Sequence, residues 1–271
     1  MFNRIWQHNF GKPIVATPSD FGLRGAPPTH PLLLDWLAGE FVRRGWSIKA
    51  MHRTIMLSQT YQRDASHDAA NAQKDAGNTW YWRFDRRRLD AEAIRDSMLA
   101  LSGRLDLDRP GPHPFPPKDK WRFSAHRQFK AVYPSNHRSV YLMVQRLHPH
   151  PYLSMFNGPD TSMSTPMRDR STVAKQALFM LNSDFVHEQA DGLAQRLIAA
   201  ADEPRARVRL AFERVLARPA TDREVDRTLA HLDAYASALT SEGVAADKVE
   251  RQAWASLARV LLTSNAFLYV D

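Results

Sequence analysis

Proline and glycine divide this chain into stretches that can be helical and stretches that cannot. Residues 11–30 hold Gly11, Pro13, Pro18, Gly22, Gly25, Pro27 and Pro28, so they read as a loop. Ordering so long a loop costs entropy, and packing is expected to pin it. Seven prolines between 110 and 149 exclude long regular structure there too. Elsewhere the apolar residues recur at helical spacing.

Residues 2–10 predict a short helix, with Phe2, Ile5 and Trp6 on one side and Arg4 and His8 at i,i+4 on another. Residues 31–62 predict a helical hairpin. Pro31 suits a first turn, Leu33, Leu37 and Phe41 form a stripe, and Gly45 fits the left-handed position past the helix end. Ser47 then caps a second helix carrying Ile48, Met51 and Ile55. Residues 64–79 are polar and turn-rich. Asp90 is placed to cap a helix with Ile94, Met98, Leu101 and Leu105 on one face.

Residues 138–144 are the best strand candidate. From Thr172 onward the pattern is helical, with helices expected over about 172–182, from Ser183 or Asp184, over about 204–217, after Thr221, and around Val249–Leu261. Thr221 and Glu224 form a capping box. The fold class expected is mainly α, with a helical hairpin, long ordered loops, one short strand element and a C-terminal helical bundle. The chain reads as one domain over 1–271, with an optional division into 1–150 and 151–271.

The 271 residues suffice for a substantial core, and the absence of cysteine excludes disulfides, thiolate metal sites, cysteine nucleophiles and Cys-x-x-Cys-His haem attachment. No apolar run is long enough for a membrane span, and the N-terminus as written has no signal-peptide pattern. The +8 charge is concentrated. Residues 109–150 carry eight basic residues against Asp119 alone, interleaved with Phe115, Trp121, Phe123, Phe129, Tyr133 and Tyr141. Lys118, Lys120, Arg122, Arg127 and Lys130 are therefore candidate anion-binding residues. A solvated surface loop is the plainer explanation, and nucleic-acid binding is the weakest of the readings.

Several motifs carry a family resemblance. Asn3-Arg4-x-Trp6-x-His8-x-Phe10-Gly11, the loop from Thr17 to Gly22 and the helix start at His30-Pro31 lie near the N-terminus. Arg87-Arg88-Leu89-x-Ala91-Glu92-x-Ile94-Arg95-Asp96, Arg138-Ser139-Val140-Tyr141 and Phe156-x-x-Pro159-Asp160 follow. Arg170-Ser171-Thr172-x-x-x-Gln176-Ala177-Leu178, Leu181-Asn182 and Leu262-x-Ser264-Asn265-x-Phe267-Leu268-Tyr269 complete the set. In order and spacing the chain resembles the C-terminal PSD-type domain of planctomycete exported proteins, the domain-of-unknown-function family 1553.

The resemblance implies architecture and context, with no reaction attached. Family members often carry a companion domain and a haem c domain upstream, and neither is in this chain, so no cofactor is expected here. Members usually have a helical lead-in before the Asn-Arg-x-Trp motif, which implies N-terminal truncation of this chain. A cysteine near Thr165 and a proline near Ala174, both common in the family, are absent. Members are usually exported, whereas the localisation of this chain is left open. The partners implied are the companion domain or an anionic ligand.

Within the motifs, Arg4, His8, Asp20, His30, Arg53, Arg138, Asp160, Arg168, Gln176 and Asn182 stand where packing alone does not demand polarity. Buried charges need partners, so these residues predict a polar network that either locks loops to helices or lines a ligand pocket. Arg88, Glu92, Arg95 and Asp96 sit at helical spacing, which predicts ion pairs within one helix; the alternative is Arg87, Arg88 and Arg95 as anion clamps. His148-Pro149-His150 is a weak metal candidate without a supporting ligand set. Trp6, Trp36, Trp46 and Trp254 are expected in the core. The leading functional expectation is a non-catalytic binding or scaffolding module. Its rival is an enzyme domain acting on an anionic extracellular glycan.

Overall fold

A computed structural model describes residues 1–114, 116–124, 126–127 and 129–270; Phe115 of the basic aromatic segment lies outside the described residues. The chain divides into two compact units, Met1–Arg87 joined by the last residues from Tyr269, and Arg88–Leu268. It is mainly helical. Its two strands among the described residues, β1 (Arg87–Arg88) and β2 (Tyr269–Val270), form one small sheet.

The first unit contains α1 (Phe2–Phe10), α2 (Pro31–Arg43), α3 (Ile48–Met56) and the short α4 (Ala69–Lys74). Phe2, Ile5, Trp6 and Phe10 recur at i,i+3 and i,i+4 on α1 and enter a core with Leu37, Phe41, Met51, Ile55 and Tyr81. Gly11 ends α1 in the left-handed region, φ 76°. The hairpin expected over 31–62 is present. Pro31 opens α2, Gly45 turns with φ 63°, and Ser47 Oγ accepts the Ala50 N–H to start α3. Trp46 shares the left-handed turn with φ 61°, an uncommon conformation for a bulky residue.

The loop 11–30 is pinned from within. Ile14 and Val15 are buried, and the Asn3 amide closes two hydrogen bonds on Val15. Asn3 Nδ2 donates to the Val15 carbonyl (3.0 Å), and the Val15 N–H donates to Asn3 Oδ1 (2.9 Å). Thr29 N–H then closes the loop on the Ile14 carbonyl (3.0 Å).

The second unit contains α5 (Ala91–Ser102), α6 (Pro151–Met155), α7 (Ala174–Asn182), α8 (Asp184–Ala200), α9 (Pro204–Leu216), α10 (Asp222–Ser241), α11 (Ala246–Thr263) and α12 (Asn265–Leu268). The expected C-terminal bundle is there, with α8 packed along α11 and against α5. Val186, Leu193, Leu197, Val208, Val225, Ala258 and Leu262 form its fully buried interior. Gly192 permits the crossing of α8 over α5, because a Cβ there would meet Ser102 Cβ at 3.0 Å and the Ser102 carbonyl at 3.1 Å. The Thr221–Glu224 capping box opens α10. Arg218 and the Thr221 N–H hold the Glu224 carboxyl down to about 2.

Four local expectations are corrected. Residues 138–144 contain no strand but a 3-10 turn at Ser139–Tyr141, because Asp96 takes the Ser139 N–H that a strand ladder would need. Leu105 lies past the end of α5, which Gly103 stops at φ 79°. The Asp90 side chain makes no cap bond. Finally, Trp6 and Trp254 are buried, but Trp36 and Trp46 are 52% and 62% exposed. Trp36 points away from Leu37 and Phe41, which occupy the opposite side of α2, and Trp46 stands edge-on to Phe41 at the helix end.

Candidate functional site

The motif residues of the second unit gather around α5. Arg95, only 6% exposed, projects from its middle turn, and its guanidinium is consumed by the segment 135–139. Nη1 donates to the His137 carbonyl (3.0 Å) and Ser139 Oγ (3.1 Å), and Nη2 donates to the Ser135 carbonyl. Asp96 lies 3.5 Å from the same guanidinium and accepts both the Ser139 N–H (2.8 Å) and the Ser139 hydroxyl (2.6 Å). Burial opposes the Arg95 charge and lowers its pKa, while Asp96 works in the other direction.

One turn earlier, Glu92 and Arg168 form a bidentate pair, 2.5 and 2.9 Å, that ties the loop after α6 to α5. Burial alone would raise the Glu92 carboxyl, but the Arg168 hydrogen bonds and charge outweigh it and hold the pKa below 4.5. Arg88 donates to the Ser171 carbonyl (2.9 Å) and to Gln176 Oε1 (2.6 Å), with its guanidinium over the Phe156 ring. Gln176, buried at the start of α7, passes the connection on by donating to the Met155 carbonyl (2.8 Å). Tyr152 anchors α6 by donating its hydroxyl to the Ala91 carbonyl (2.9 Å).

The expected ion pairs within one helix are therefore corrected. Arg88 precedes α5, and although Arg95 and Asp96 lie 3.5 Å apart within the helix, the hydrogen-bond partners of Arg88, Glu92, Arg95 and Asp96 are 40 to 88 residues away. These side chains face the loops that cover α5 and pair with what covers them, save Arg88 Nε, which is buried without a partner.

The other candidate residues are placed separately. In the first unit Arg4, His8, Asp20 and Arg53 are exposed. Asp20 accepts the Gly22 N–H (3.0 Å), and Arg87 donates to the His8 carbonyl (2.7 Å). His30 contacts Thr29 Oγ1 and stands edge-on to Trp80. In the second unit Arg138 and Asn182 are exposed, and Asp160 folds back on its own turn by accepting from Ser162. Asn157 was not singled out in the sequence, yet it joins Ser171 and Gln176 in the network. Its place three residues before Asp160 inside a motif was the available signal.

Beside the Arg95 clasp lies a cavity of about 330 Å³. Pro112, Pro134, Leu142 and Met143 give it apolar walls, and Tyr133, Ser135, Tyr141, Gln145 and His150 give it polar ones. The Gln145 amide donates to the Ala131 carbonyl (2.7 Å), while Gln145 Oε1 and His150 Nδ1 are buried without partners. Burial first, and the Arg95 charge second, hold the His150 imidazole below its ordinary 6.5, so it is neutral at pH 7. Lys118, Lys120, Arg122, Arg127 and Lys130 are exposed and form no part of the wall. Among the described residues no group of three or more His, Asp or Glu is placed to hold a metal, and no helix is long and apolar enough to cross a membrane.

Residues 1–232 match the family model described as PSD1, Protein of unknown function (DUF1553). No curated protein and no solved structure matches the chain.

Proposed function

Since the chain belongs to the PSD1 family of proteins of unknown function, we propose that it is a non-catalytic binding or scaffolding module whose motif charges lock loops onto helices. One observation carries this reading: Arg88 Nη1 and both terminal nitrogens of Arg95 and of Arg168 donate to partners within the second unit. A catalytic site for glycan cleavage needs carboxylates able to exchange protons with substrate. Glu92 is held by Arg168 and Asp96 by Ser139, which supports a structural role for both. An exported setting is supported by the family resemblance alone.

The partner most in keeping with this reading is the companion domain that the family carries upstream, met through the exposed basic residues from Lys118 to Lys130. The test is calorimetric titration of the chain with that companion domain, produced as a separate protein, with heparin as an anionic-glycan probe. Saturable binding to the companion domain is expected, and Lys118→Gln/Lys120→Gln/Arg122→Gln is expected to weaken it about tenfold. A flat titration against the companion domain overturns the proposal. Cleavage of heparin that disappears in Glu92→Gln would favour the glycan-acting enzyme instead.

A further inference from the structure

The side of α2 that faces away from the core is apolar where a solvated helix would be polar. Leu32 is 84% exposed, Trp36 52% and Val42 53%. Successive helix residues are rotated by about 100°, so Leu32, Trp36, Gly39 and Arg43 form one stripe, flanked by Asp35 and Val42. Leu37 and Phe41, both buried, hold the opposite side.

Gly39 lies in the middle of that stripe and has no role within its own unit. It is exposed, a Cβ added to it would meet nothing within 4 Å, and its φ is not positive. Glycine in an exposed helix interior is unfavourable relative to alanine. A close approach by another backbone would give it a purpose.

We propose that this face is a self-complementary interface on which two copies of the chain pair, their α2 helices antiparallel about a two-fold axis at Gly39. The arrangement sets residues equally far before and after Gly39 level with each other. Asp35 of one copy comes level with Arg43 of the other, and Trp36 with Val42, and symmetry repeats each contact. Among the described residues the Asp35 side chain has no hydrogen bond or ion pair, whereas that of Arg43 meets Glu40 (2.7 Å) and is 64% exposed. Both charges are therefore available across the axis. Trp36 lies on the same flank as Arg43 of the other copy, where its ring can meet the guanidinium.

The exposed Leu32, Trp36 and Val42 offer on the order of 400 Å² per copy, and with the charged flanks the pair buries about 1,000 Å², the lower bound for a specific interface. Such an interface gives a dimer that dissociates on dilution.

Sedimentation velocity of the full chain from about 1 to about 100 µM tests the proposal. A monomer–dimer transition is expected within that range. Gly39→Gln should weaken association at least about tenfold while leaving the thermal midpoint unchanged or higher, since glutamine is the better helix former and has room. Asp35→Arg and Arg43→Asp should each weaken association, and the double variant should recover it to within about threefold of the unaltered chain. A chain that stays monomeric throughout, or a dimer indifferent to Gly39→Gln, overturns the proposal. So does partition onto neutral phosphatidylcholine vesicles without any dimer, which would assign the face to a lipid surface.

Discussion

Arg95→Ala lowers the unfolding free energy by about 3–5 kcal/mol, the range for breaking a buried charge out of its partners. Three groups lose a donor at once: the carbonyls of Ser135 and His137 and the Ser139 hydroxyl. Asp96 loses its cationic neighbour but keeps the Ser139 N–H. Against a total stability of about 5–15 kcal/mol, this loss is large enough to leave part of the population unfolded at 37 °C. Arg95→Lys should recover only a small part, because an ammonium at the end of a flexible chain cannot reach both carbonyls and the hydroxyl in one plane. Urea unfolding followed by circular dichroism checks both variants. A loss below about 1 kcal/mol for Arg95→Ala would mean that the segment 135–139 is not held by this side chain.

The second large effect is at Asn3. Its amide pairs with both backbone groups of Val15, as a strand neighbour would, and it is the point where the loop 11–30 is fastened to α1. Asn3→Ala leaves a buried N–H and a buried carbonyl unpaired, for a loss of about 2–4 kcal/mol. Asn3→Asp should be no better, since it keeps the acceptor but sets a carboxylate against the Val15 carbonyl. Two readouts separate this from a general loss of packing. The urea midpoint should fall, and limited proteolysis should begin within 16–28 before it reaches α2. Cleavage that starts elsewhere, with 16–28 still protected, contradicts the role given to Asn3.

These two residues also mark the limit of what the sequence discloses. The hairpin was legible because its signals are local: Pro31 at the first turn, Gly45 in the left-handed position and Ser47 capping Ala50 all act within a few residues. The capping box of α10 was legible for the same reason. Arg95 was recognised as a charged motif residue, but its partners are two main-chain carbonyls and a serine 40 to 44 positions away, and main-chain groups carry no sequence signature. The strand expected at 138–144 failed through the same distant contact. β propensity expresses context, and here Asp96 supplied a turn in place of a neighbouring strand.

Trp36 shows a different failure. Its apolar character predicts a core position, but helical periodicity cannot tell which of two apolar faces on one helix is covered from inside. On α2 the interior takes Leu37 and Phe41, and Trp36 is left facing out. The residues expected in a polar network have different surroundings. In the second unit Arg88 pairs with Gln176 and Arg168 with Glu92, whereas among the described residues the Asp160 and Asn182 side chains bond within their own turns.

The central claim is that the motif charges act on one another as a structural clasp, and the Glu92–Arg168 pair tests it most directly. Glu92→Gln, Arg168→Gln and the double variant should be unfolded in urea at pH 7 and again across the acid range. Because the folded Glu92 pKa lies below its unfolded value near 4.5, the stabilisation is fully present above that value and is lost as the pH falls through the folded pKa. The account predicts a coupling of about 1–2 kcal/mol at pH 7 that shrinks on acidification. Single-variant losses that simply add at pH 7, with no change in acid, would contradict it.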